Sequence, residues 1–133
     1  MADVDIDKFL RQLRTIALPP FGHGKCATHV RRALEAAGAS TNGHPTYAKD
    51  WGPTLVRIGF RAVSSANYQP AKGDVAVIQG TSSSVPGHIE AYDGRNWISD
   101  FVQPVRSGDD PPGGFWPGPS YRNETPDYVI YRY

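Results

Sequence analysis

Apolar residues recur at helical spacing near the start of the chain. Ile6, Phe9, Leu10, Leu13 and Ile16 fall on one stripe, which predicts an amphipathic helix over residues 3–17 with Asp3 as its N-cap. Leu18-Pro19-Pro20 ends it, because proline lacks a backbone donor and pushes the preceding residue out of helical geometry. A second stripe, Ala27, Val30, Ala33, Leu34 and Ala37, predicts a helix over 26–37, with Gly38 placed to terminate it. A glycine-rich turn over 21–25 joins the two. Residues 46–58 predict a third helix, broken or restarted at Gly52-Pro53. The period then shortens. Segments 59–63, 74–79, 88–92, 96–101 and 128–133 read as short strands, and Asp93-Gly94 marks a hairpin turn between two of them. Residues 103–126 are crowded with Pro and Gly and read as a long loop, a flap beside a cleft. Helices followed by an antiparallel sheet predict an α+β fold, and 133 residues fit one domain spanning 1–133.

Composition narrows the function. Lys and Arg number 14 against 13 Asp and Glu, so no large basic field exists to draw nucleic acid or anionic lipid. The single cysteine excludes an internal disulfide, which fits an intracellular origin or export in a folded state. The start of the chain is acidic and then amphipathic, unlike a secretory signal, and no later segment approaches a membrane span. The expectation is a protein made in the cytoplasm without a signal peptide and without membrane insertion.

Candidate chemistry centres on Cys26. It lies where the glycine-rich turn enters a helix, and unpaired N–H groups together with the helix dipole favour a thiolate there. The same N–H groups suit the oxyanion of a tetrahedral intermediate. A nucleophilic cysteine needs a base, and His88, opening a strand directly after Gly87, is the best candidate. A third group should orient the imidazole, and Asp100, closing the next strand of the hairpin, is placed for it. Glu90 shares a strand face with His88 and is a substrate contact or an alternative third group. Lys25 beside the nucleophile and Trp116, flanked by Pro and Gly, are candidate substrate contacts, with Trp116 on the cleft wall. His23, Cys26 and His29 have an H-x2-C-x2-H spacing, but structural zinc needs a second ligand pair, so no metal is expected. No cofactor fingerprint is present.

Several blocks carry a resemblance. They are Gly24-Lys25-Cys26-Ala27-Thr28-His29-Val30-Arg31, Gly73-Asp74-Val75-Ala76-Val77, Gly87-His88-Ile89-Glu90-Ala91-Tyr92 and Trp97-Ile98-Ser99-Asp100. Together they resemble the NlpC/P60 and CHAP group of papain-like peptidoglycan amidases. Within that group, the compact size and the C-A-x-H-V-R block resemble the amidase effectors that bacteria inject through type VI secretion. The resemblance implies a papain-like fold, a Cys26, His88 and Asp100 triad, and cleavage of an amide bond in a peptidoglycan stem or crosslink. It also implies delivery by the type VI machinery to the periplasm of a target bacterium, and a cognate immunity protein that plugs the cleft. A cysteine isopeptidase acting on protein, or a binding module whose triad is coincidental, are the competing expectations.

Overall fold

The computed structural model describes residues 3–19 and 21–133, so the Pro20 of the expected helix stop lies outside the described residues. Its first helix, α1, runs Ile6–Ile16 and buries Phe9, Leu10 and Leu13. The cap is Asp5, not Asp3: its side chain accepts from the Lys8 N–H at 3.0 Å, while its own N–H donates to the Ala37 carbonyl. That second bond ties the start of α1 to the end of α2, Cys26–Ala36. The expected third helix is divided. A 3-10 turn, Ala48–Asp50, leads into α3, Gly52–Ile58, with Pro53 in the first turn where a missing N–H costs nothing.

The strands are β1 (Arg61–Val63), β2 (Val75–Ile78), β3 (His88–Tyr92), β4 (Trp97–Ile98) and β5 (Tyr128–Arg132). They form a sheet in the order β1-β5-β2-β3-β4, antiparallel throughout. The fold is therefore α+β. Alternation along the strands serves two apolar layers. Val75, Val77, Ile89 and Ala91 pack with α1, α2 and α3, whereas Ala76, Ile78 and Ile130 pack with Trp97, Phe115 and Tyr121. Register pairs Ile78 with His88 and Ala76 with Glu90, so both polar residues of β3 belong to the second face.

Two departures from the sequence pattern shape the site. The strand expected over 96–101 keeps only Trp97 and Ile98. The chain then folds back, with the Ser99 N–H bonded to the Phe101 carbonyl and the Gln103 N–H to the Trp97 carbonyl. The expected loop contains a further helix, α4 (Pro119–Glu124), too short to show a helical period in the sequence.

The start of β2 is fixed by the fully buried carboxylate of Asp74. It accepts from Arg132 Nε at 2.8 Å and Nη2 at 2.9 Å, from Tyr68 Oη at 2.6 Å and from the Ala71 N–H at 3.0 Å. Burial opposes the charge, but these four donors outweigh it and hold the carboxyl below its ordinary range. Such a group contributes stability above its unfolded pKa and loses that contribution as pH falls through the lower folded value. Asp74→Asn is expected to lose about 3 kcal/mol at neutral pH, the cost of removing one partner of a buried pair. Denaturant unfolding should show wild type and variant converging in acid, and equal midpoints at pH 7 would contradict this account.

Candidate active site

Cys26 is the first residue of α2, and the turn before it is held by a side chain from across the molecule. Asp100 Oδ2 accepts from the His23 N–H at 2.6 Å and the Lys25 N–H at 2.9 Å, and Ser99 Oγ lies 3.3 Å from Asp100 Oδ1. Lys25, at the N-cap position, makes no side-chain cap, so the carboxylate of Asp100 is what ties the turn down. The N–H groups of the first helical turn have no acceptor within the helix and face the same end as the thiol.

His88 opens β3. Gly87 before it has φ +74°, and a Cβ there would lie 2.5 Å from the Ile78 carbonyl oxygen and 2.7 Å from Lys49 Cβ. Only glycine allows the strand to begin so close to its neighbours. The His88 ring is buried and hydrogen-bonds the Cys26 thiol, whose sulfur also receives the Ile89 backbone N–H. The far side of the ring meets Gln103: His88 Nε2 lies 2.9 Å from Gln103 Oε1 and 3.2 Å from Glu90 Oε1.

The orientation of the Gln103 amide follows from its other partners. Its Nε2 lies 2.6 Å from the Gly114 carbonyl, 3.3 Å from the Phe115 carbonyl and 2.9 Å from Glu90 Oε1. Backbone carbonyls only accept, so that end of the amide must be the NH2. Oε1 therefore faces His88 and also accepts from Ser99 Oγ at 3.0 Å. A carbonyl facing Nε2 requires a proton on Nε2, which leaves Nδ1 as the nitrogen free to take the thiol proton. Gly114 is itself constrained, with φ +79° and the Gln103 and Pro104 carbonyls 2.7 Å from any added Cβ.

The electrostatics agree with this geometry. Burial disfavours a thiolate at Cys26, but the facing His88 and the Ile89 N–H override it and bring the thiol below its ordinary range; the Asp100 charge opposes them. Burial likewise disfavours charge on His88, yet the Cys26 thiolate and Glu90 hold the imidazolium well above the usual histidine range. Glu90 is fully buried, its Oε2 has no partner among the described residues, and burial pushes its pKa up to about 7.

The expected site residues thus separate into groups. Cys26 and His88 meet. Asp100, expected to orient the imidazole, makes its hydrogen bonds to the turn that carries Cys26, and Gln103 with Glu90 stands where the third group was expected. Glu90 is sealed behind His88 rather than open to substrate. Trp116 packs edge-on to Phe115 and Tyr128 in the second apolar layer, and Pro117 and Tyr121 take its expected place on the cavity wall. Lys25 does line the cavity, which is about 290 Å³ and contains Cys26 and His88.

Two site residues carried no sequence signal. Gln103 is one. The other is Tyr121, whose ring lies 5.9 Å from that of His88 and whose hydroxyl donates to Ser84 Oγ at 3.1 Å. His29 is buried with Nδ1 unpartnered among the described residues, and burial lowers its pKa, keeping it neutral. Among the described residues, no three His, Cys, Asp or Glu side chains converge as a metal site would require. Among the described residues, no helix is long and apolar enough to cross a membrane.

This arrangement predicts how alkylation of Cys26 by iodoacetamide responds to two substitutions. Gln103→Ala should slow the reaction at neutral pH about tenfold, a loss of about 1.4 kcal/mol of thiolate stabilisation. Asp100→Asn, which keeps an oxygen for the turn and removes a charge opposing the thiolate, should not slow it. Slowing by Asp100→Asn as large as that by Gln103→Ala would contradict the assignment.

No family model matches the chain, and no curated protein matches it. Solved structures do. The native type VI effector–immunity complex Tae3–Tai3 from Ralstonia pickettii contains a chain 38% identical to this one, with a TM-score of 0.83 over 96% of this chain and 98% of that one. The selenomethionine form of the same complex gives a TM-score of 0.80 at 38% identity, over 93% of this chain and 98% of that one. Identity at that level over nearly the whole of both chains, on the same fold, shows that this protein belongs to the Tae3 family of type VI effectors.

Proposed function

We propose that the protein is a papain-like cysteine amidase that hydrolyses a peptide bond in peptidoglycan, with Cys26 as nucleophile and His88 as general base and acid. The observation that carries this reading is the Cys26–His88 pair with its imidazole oriented from behind by Gln103. A thiol bonded to a histidine that is itself fixed by a third residue is the geometry of an activated nucleophile. Glu90 stabilises the imidazolium, and Asp100 acts on the turn rather than on the ring.

The steps follow from the atoms present. The Cys26 thiolate attacks the carbonyl carbon of the scissile amide, and the electron pair of the C=O moves to oxygen. The Cys26 N–H, at the positive end of α2, is placed to receive that oxyanion. Collapse of the intermediate breaks the C–N bond, and His88 Nδ1–H gives its proton to the departing amine. A water then attacks the thioester while His88 Nδ1 takes its proton, and the thiolate leaves. The enzyme regains its starting state with one carboxylate and one amine formed.

The substrate class rests on family membership. A type VI effector is delivered into another cell, and an amidase fold of this size suits stem peptides or crosslinks of the target's wall. The neighbouring structures are effector–immunity complexes, which supports a cognate immunity protein for this chain as well. The cavity over Cys26 is the surface such a partner would close.

Digestion of purified peptidoglycan tests the proposal. Wild-type protein should release muropeptides with new amine and carboxylate termini by mass spectrometry. Cys26→Ala should fold normally and cleave at least about a thousandfold more slowly. Cleavage retained by that variant, or no cleavage by folded wild type, would contradict it.

A further inference from the structure

The catalytic cavity does not end at Cys26. A second groove of about 230 Å³ shares Ala27, Thr28 and Thr46 with it and continues along α2 to Arg31 and His44. We infer that this groove is a carboxylate-binding subsite, which makes the substrate a peptide with a free carboxylate about two residues from the scissile bond. The inference rests on the amidase reading for what is cut, but not for what is bound.

The polar groups of the groove point to an anion. Its ionisable lining residues are Arg31 and His44, joined by the hydroxyls of Thr28 and Thr46, and no Asp or Glu lines it. Arg31 Nη1 donates to both carboxylate oxygens of Glu35 at 3.2 Å, an arrangement that holds the guanidinium while Nε and Nη2 have no partner among the described residues. Guanidinium presents its donors as a planar fork, so the remaining edge matches a second carboxylate. His44 Nδ1 donates to the Pro45 carbonyl at 2.9 Å, so Nε2 of the neutral ring is an acceptor and the carboxylate's donors come from Arg31 and the two threonines.

The floor of the groove is rigid. Trp51 lies beneath His44, with ring centroids 5.6 Å apart and planes 23° from parallel, and it lines the groove. Its indole N–H is buried and has no acceptor among the described residues. That N–H is closed off from the groove, so Trp51 contributes its ring, as the support for His44, and no donor to a ligand. The groove's donors are therefore the free edge of Arg31 and the hydroxyls of Thr28 and Thr46, while Glu35, outside the lining, takes only Nη1 of Arg31.

The spacing sets where the carboxylate falls. Arg31 follows Cys26 by five residues on one helix, a rise of about 7.5 Å. An extended peptide covers that distance in about two residues.

The test uses Cys26→Ala protein, so that binding is read without turnover. Isothermal titration compares a synthetic peptidoglycan stem tripeptide with free carboxylates against the same peptide with its carboxylates converted to primary amides. The free form should bind about tenfold more tightly. Adding Arg31→Ala should remove that preference by weakening the free form alone, and Arg31→Lys, which keeps the charge, should retain part of it. Equal binding of both peptides, binding of neither, or equal weakening of both by Arg31→Ala would overturn the subsite. Failure of wild type to cleave peptidoglycan, with the binding preference intact, would instead count against the amidase reading alone.

Discussion

The site depends on which way one buried amide points. The Gly114 carbonyl can only accept, so it fixes the NH2 of Gln103 towards itself and the oxygen of Gln103 towards His88. That oxygen demands a proton on Nε2, and the demand passes through the ring to leave Nδ1 open to Cys26. A backbone oxygen in a loop thereby sets which nitrogen of the His88 ring faces Cys26 unprotonated. The fold-back after β4 exists in service of this relay, because it returns the chain beside Trp97 and delivers Gln103 into the interior. Glycine at 114 is required for the same reason, since a side chain there would collide with the backbone of Gln103 and Pro104.

Asp100 and Glu90 show how two carboxylates near one thiol take different work. Asp100 is anchored by backbone N–H groups and stabilises the turn before α2, even though its charge acts against the thiolate. Glu90 sits behind the imidazole, where its charge favours the ion pair. Its burial resists that charge and brings its pKa to about 7. The pair at the front is thus supported by a buried carboxyl whose pKa is raised to about 7, inside a layer of aliphatic and aromatic side chains.

Much of the frame was legible from residue pattern. The stripes of α1 and α2, the helix start at Cys26, the Gly-His opening of β3 and the hairpin at Asp93-Gly94 all express local rules, and the structure follows them within three residues. Asp100 was legible as a polar residue near the site, but its partner was not. It ends the extended run in the sequence, whereas in space a tight turn aims it at the backbone of residues 23–25. Gln103 had no local signature at all: it is a single polar residue after that turn, and only the long-range contacts to Gly114 and β3 give it a role. Trp116 reads as a cleft-wall residue from its Pro and Gly neighbours, yet the rings of Phe115 and Tyr128 hold it in the second layer. Helix α4 was hidden for a related reason, since six residues between prolines and glycines cannot display a period.

The measurement closest to the centre of this account is the tautomer of His88. In Cys26→Ala protein labelled with ¹⁵N histidine, at a pH where the ring is neutral, long-range ¹H–¹⁵N correlation separates a protonated from an unprotonated ring nitrogen. The relay from Gly114 through Gln103 predicts Nε2–H with a bare Nδ1, and Gln103→Ala should release that preference. A neutral His88 carrying its proton on Nδ1 in the presence of Gln103 would contradict the account.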